Sequence, residues 1–357
     1  MTPAKETAPV TQSAAISDTP VQLPATVNVP AEVHSDDLTT IAPKKRRRRF
    51  LNALIGKKTL GVVSALIVVG AVVNWGVLGV VTHNIDADPN FAPVSVPPGG
   101  SQAVAMAAAL LERELIQNQW TPNDPIIAPS AFLDNMPNFQ MGVQKAVARF
   151  TFELLDNVAR RRNSSIADPD LERATGFLQF PPDIWLIDLD RSWFPGIPSE
   201  HQYLAGVAAL KSFNNRLSNG QAIFEPRSDT LADTLRQVSA DLGSQTAQLE
   251  SVQNTGWWIF NRDADDLFYQ GKGLLYAYSM LMKALGEDFA PVIQSGGFET
   301  IWAQAMESLE QGSQLRPFVV LDGDLDRSIF ANHLAMQGFY MKRAFIQLEE
   351  MVSVLEL

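Results

Sequence analysis

KKTLGVVSALIVVGAVVNWGVLGVVTHNIDAD, residues 57–88, decides the architecture of this chain. From Leu60 to Val81 it holds no ionisable side chain. About 22 residues of helix reach roughly 33 Å, enough to cross a hydrocarbon core of about 30 Å. A soluble helix of this length normally carries a polar face, and none is present. The sequence therefore predicts a transmembrane helix over 59–82. Asn74 is its one strongly polar residue, and Trp75 lies toward the far end, where an indole favours the interface.

Charge on the two flanks sets the orientation. Upstream stand Lys44, Lys45, Arg46, Arg47, Arg48, Arg49, Lys57 and Lys58. Downstream, Thr82 to Glu112 carries no Lys or Arg, but has Asp86 and Asp88. Positive charge stays on the cytoplasmic side, so the N-terminus is expected inside and the bulk of the chain outside. In a Gram-negative bacterium that location is the inner membrane with a periplasmic domain. The basic cluster is also expected to sit on anionic lipid head groups. Arg47-Arg48-Arg49-Phe50-Leu51 fits the twin-arginine export pattern, so the sequence leaves the export route open between that and a simple signal anchor.

The remaining organisation follows from composition. Residues 1–43 are rich in Thr, Ala, Val, Pro and Ser without apolar periodicity and read as a disordered cytoplasmic tail. Residues 44–58 form the polybasic juxtamembrane segment, 83–100 a Pro/Gly-rich linker, and 101–357 an outer domain. The whole chain carries a net charge of −11 and eight of its cations flank the span, so the outer domain is more acidic still. That excludes a general nucleic-acid binder, whose phosphate contacts need clustered Lys and Arg. With no cysteine, disulfides, thiolate metal sites and a Cys nucleophile are excluded too.

Helical spacing dominates the outer domain, and the fold class is all-α. Ser101 caps a run to Gln119. Val143, Val147, Phe150, Leu154 and Val158 share one helical face within 138–162. Asp168-Pro169 is a cap followed by Pro at the first helical position. Ser199 with Gln202 makes a capping box before a helix to Leu217. Further helices are expected over 229–252, 263–285, 298–309 and 326–354. Only 185–189 and 318–321 carry a strand signal.

Four helices carry an early glycine, Gly142, Gly206, Gly271 and Gly338, recurring at about 65 residues. Asp188-Leu189-Asp190-Arg191-Ser192-Trp193-Phe194 matches Asp324 to Phe330 at six of seven places. His201, Gly206 and Phe213 share their spacing with His333, Gly338 and Phe345. The expectation is about four helix–loop–helix units, packed as a bundle or short solenoid, whose glycines let helices approach closely.

Trp120-Thr121-Pro122-Asn123-Asp124-Pro125, Leu133 to Gln140 and Pro198-Ser199-Glu200-His201-Gln202-Tyr203 resemble signature stretches of a bacterial domain-of-unknown-function family. The resemblance covers the chain from the span onward. It implies a proteobacterial inner-membrane protein with one N-terminal span, and it brings no activity and no catalytic residue.

Chemistry-bearing motifs are sparse. There is no Walker A, no G-x-G-x-x-G, no G-x-S-x-G and no H-E-x-x-H. The alternating aspartates at 322, 324 and 326, and at 263 and 265, do not continue as calcium loops and read as helix caps. No cofactor and no metal is expected. Glu250-Ser251 and Glu307-Ser308, with Gly312-Ser313-Gln314, faintly resemble lytic transglycosylases and keep a carboxylate-dependent peptidoglycan or glycan hydrolase open as an alternative. A lipid or small-molecule carrier is a third reading. The favoured one is a membrane-anchored binding or scaffolding domain, with lipid and an envelope protein as partners. Its candidate binding residues are the loop aromatics and their polar neighbours: Trp120, Asn123, Asp124, Trp185, Trp193, Trp257, Trp258 and His201.

Overall fold

The computed structural model describes residues 57–161, 167–187, 194–253, 262–316 and 333–356. The tail, the basic cluster Lys44 to Arg49, Trp193, Trp257, Trp258, both Asp-Leu-Asp-Arg-Ser strings, Asp322 and the strand signal at 318–321 lie outside them. The described residues from Gly61 onward form the compact unit that holds the helical bundle.

Among the described residues every regular element is helical. A continuous helix opens with α1 (Lys57–Ala71), passes through a π-helical stretch (Val72–Leu78) and ends with α2 (Gly79–Thr82). Its apolar side chains face outward: Leu66 and Ile67 are both 66% exposed. The bundle comes next: α3 (Gln102–Glu112) with a π-helical end (Arg113–Gln117), α4 (Asn135–Arg161), α5 (Pro169–Leu178), α6 (Ser199–Ser218), α7 (Ser228–Gln253), α8 (Arg262–Asp288), short α9 (Ala290–Gly296), α10 (Glu299–Gln314) and α11 (His333–Leu355).

Two predicted starts hold in atomic detail. The Ser101 hydroxyl accepts from the Val104 N–H, and Asp168 accepts from the Asp170 and Leu171 N–H groups ahead of Pro169. The capping box at Ser199 does not form. Pro198 occupies the cap position, and the Ser199 hydroxyl instead bridges the Pro181 carbonyl, at 2.7 Å, and the Ile184 backbone. The 185–187 part of the first strand signal is a bend with no ladder.

The helices pack as two four-membered rings. In the first, α3 touches α4, α4 touches α5, α5 touches α6, and α6 returns to α3. In the second, α7, α8, α10 and α11 close in the same order. The rings meet along α4 and α8, with α3 lying on α8 and α4 on α7. Exchanging α3 with α7, α4 with α8, α5 with α10 and α6 with α11 maps these contacts onto one another, which is the pattern of an internal two-fold.

The seam rests on glycine, though not in the register of the sequence pattern. A Cβ on Gly142 would stand 2.1 Å from the Gln270 carbonyl oxygen and 2.8 Å from the Leu274 nitrogen. A Cβ on Gly273 would stand 2.0 Å from the Phe139 oxygen and 3.1 Å from the Val143 nitrogen. These contacts are reciprocal, so Gly142 pairs with Gly273. Gly271, the expected counterpart, faces Gln337 and Met341 of α11 instead. Gly206 abuts Leu178 of α5, whereas a Cβ on Gly338 would meet nothing, so close approach explains three of the four glycines and not the last.

Candidate functional site

The segment after the apolar helix is held against the bundle. Ala87 is buried and Ile85 and Phe91 pack on the core. Its carbonyls are taken one by one: Arg113 Nη2 donates to Asp86 O at 2.9 Å, Gln314 Nε2 to Ala87 O at 2.6 Å, and Tyr276 Oη to Asp88 O at 2.9 Å. Arg113 is the hub. It is 2% exposed, pairs with the fully buried Glu114 at 2.9 Å, donates from Nη1 to the Tyr276 hydroxyl at 2.9 Å and stacks 4.5 Å over the Phe91 ring. Burial pushes the Glu114 carboxyl up, with Arg113 opposing it. Residues 84–91 thus act as a strap that fixes the end of the apolar helix to the domain.

A second attachment comes from the loop between α3 and α4. Gln119 turns the chain with a left-handed φ of 61°. Beyond it the predicted binding residues form a structural knot. Trp120 is buried, donates its indole N–H to Pro182 O at 3.0 Å and meets the Tyr203 ring edge-on at 5.1 Å. Thr121 is held by Gln140 at 2.8 Å. Asn123 reaches Ile184 O at 2.8 Å and Glu200 at 2.6 Å, and the Asp124 carboxylate accepts from Ser130. Trp185 is half-buried beside this knot in the chain, and His201 is exposed on α6. The structure therefore brings Trp120, Asn123 and Asp124 together as the support of a loop.

That loop projects Pro125-Ile126-Ile127-Ala128-Pro129 onto the apolar helix. Asn74 Nδ2 donates to Ile127 O at 3.0 Å, and Trp75 Nε1 to Ile126 O at 3.1 Å and Ala128 O at 3.2 Å. Gly79 admits the approach, since a Cβ there would lie 2.7 Å from Pro129 O. The π-helical stretch sits at the height of these contacts; such stretches are frequent at functional places in helices. Ile126 and Ile127 themselves remain 74% and 76% exposed. Asn74 and Trp75 stand out in the sequence as the odd residues of the apolar run. Nothing local to them signals that their partners are three backbone carbonyls some fifty residues on.

On the strap's outer side lies a cleft of about 250 Å³ between residues 91–97, α3 and α6. Pro93, Val94, Ala105 and Ala108 are among its lining, with Val94 fully exposed, and Glu112 pairs with Lys211 there, 2.6 Å apart. Among the described residues, Glu112 is the one carboxylate in this lining. Glu250 and Glu307 are exposed residues of α7 and α10. Among the described residues no three His, Asp or Glu side chains are grouped to hold a metal ion.

A model of the family described as uncharacterized proteins conserved in bacteria, DUF2333, matches residues 94–255 and 245–357. No curated protein and no solved structure matches the chain. The matched stretches contain both helical rings and begin just beyond the strap that ties them to the apolar helix, and the chain belongs to that bacterial family.

Proposed function

We propose that this chain is a single-pass inner-membrane protein whose periplasmic helical domain binds another component of the cell envelope. The observation that carries the reading is the helix Thr59–Thr82: 24 residues, whose most apolar 18-residue stretch has a mean hydropathy of 2.2 and is only 6% buried. A soluble core helix of that composition would be covered on most sides. The flanking basic residues favour an N-terminus in the cytoplasm.

A binding role is favoured over hydrolysis because, among the described residues, no pair of carboxylates faces across the cleft, as glycoside hydrolysis requires. This cleft is smaller than the roughly 300–1,000 Å³ typical of small-molecule sites, which suits a partner's side chains, while a second hollow of about 470 Å³ beside Phe224 is lined by Glu287 and Asp288 and offers a carried lipid a mixed rather than an apolar wall. Val94 stands fully exposed at its rim and the domain is acidic, so the expected partner presents an apolar residue within a basic surface. A photo-crosslinking residue at Val94 in the full chain, with one at Gln248 on α7 as reference, tests this. Recovery of one reproducible partner from Val94 supports the reading. Its consistent absence counts against it.

A further inference from the structure

We propose that the Pro125–Pro129 loop tip is a second membrane element, inserted into the outer-leaflet hydrocarbon beside the apolar helix, with Ile126 and Ile127 facing the lipid. This rests on the reading of Thr59–Thr82 as a span.

Depth comes first. Lys57 and Lys58 mark the inner edge of the apolar run. A core of about 30 Å takes about 20 helical residues, which puts its outer edge near Leu78 and Gly79. Asn74 and Trp75 then lie about 6 Å inside that edge. The loop carbonyls bonded to them, at 3.0–3.2 Å, share their depth.

Polar satisfaction comes second. Hydrocarbon offers no hydrogen bonds, so each backbone polar group carried into it needs a partner in the protein or adds to the cost of insertion. The three carbonyls at the tip are taken by Asn74 and Trp75. Pro125 O accepts from the Ala128 N–H at 2.8 Å, and Pro125 and Pro129 carry no N–H at all, so the N–H groups of Ile126 and Ile127, which meet no acceptor among the described residues, are the polar cost that burial of the two isoleucine side chains offsets. The pairing is mutual, since the amide of Asn74 and the indole of Trp75 would otherwise lie bare in lipid.

Third, two adjacent isoleucines about three-quarters exposed are out of place at the tip of a loop in water, and they continue the outward apolar surface of the helix beside them. The buried knot at Trp120 and Asn123 gives the tip a rigid base.

The chain has no cysteine, so single spin labels can be placed directly in the full protein in lipid vesicles. The positions are Ile126→Cys and Ile127→Cys, with Leu66→Cys on the helix and the exposed Gln248→Cys on α7 as references. Collision with oxygen, which partitions into lipid, is compared with collision with a water-soluble nickel complex. An inserted tip predicts that oxygen dominates at Leu66, Ile126 and Ile127 and that the order reverses at Gln248. Nickel dominating at Ile126 and Ile127 while oxygen dominates at Leu66 overturns the insertion and leaves the span intact. Both reagents excluded from the two isoleucines overturns it in favour of a protein contact. Nickel dominating at Leu66 as well removes the span, and the insertion with it.

Discussion

Gly142 of α4 and Gly273 of α8 pack backbone against backbone, each occupying the space where the other helix's carbonyl leaves no room for a methyl group. The whole seam between the two rings depends on that absence of side chains. Gly142→Ala or Gly273→Ala must push the helices apart. Each should cost about 3 kcal/mol or more, because overpacking here meets backbone rather than a movable side chain. Gly338→Ala faces open space and should be neutral, or stabilising by up to about 1 kcal/mol from helix propensity. Thermal melts of the three variants in detergent check the order.

Arg113 is expected to behave as a buried charge whose partner cannot be left alone. Arg113→Met strands Glu114, which has no exposure, and should cost about 3–5 kcal/mol. Adding Glu114→Gln removes the stranded charge and should recover part of that loss. Denaturant midpoints of the single and double variants measure it, and purely additive losses would contradict the pairing.

Trp120→Ala should act on stability rather than on binding. It removes an indole that is 6% exposed, its bond to Pro182 and its contact with Tyr203, at a cost of about 3–5 kcal/mol. A variant that melts like the parent yet loses a partner would instead make Trp120 a recognition residue.

Asp265 supplies a pH dependence. Burial, then the charges of Asp134 and Asp266, push its carboxyl from 3.8 up to about 6. Well below pH 3.8 the group is protonated in both the folded and unfolded chain and contributes no penalty. As pH rises toward 6 the unfolded chain ionises first, so stability falls, and above 6 the loss is complete. The raw shift corresponds to about 3 kcal/mol, which solvent screening at a half-buried site reduces to about 1 kcal/mol. Asp265→Asn should therefore gain about 1 kcal/mol at neutral pH and nothing near about pH 3, as read from melts across that range.

Much of the helical content is legible in the sequence, because caps and periodicity are local. Ser101, Asp168-Pro169 and the Val143 to Val158 face each sit on the helix they predict. Non-local partners are not legible. The glycine register slips by two, from Gly273 to Gly271, because both glycines open the same helix and only the facing backbone distinguishes them. Ser199 looks like a cap, yet a carbonyl eighteen residues upstream claims its hydroxyl. Residues 83–100 read as a linker from their prolines and glycines, while side chains from three distant helices hold the carbonyls of Asp86, Ala87 and Asp88 within it. The loop aromatics look like anchors for a partner, and Trp120, the best defined of them, is bonded inside the domain.

Every functional reading of this chain depends on the helix 59–82 staying attached and dividing the chain across the membrane. Protease added to spheroplasts, with the chain tagged before Met1, examines that directly. A dividing helix predicts that the tag survives on a short membrane-bound fragment while the helical domain is digested. A tagged chain that stays full length until the spheroplasts are lysed, or a domain released without its tag, would contradict it.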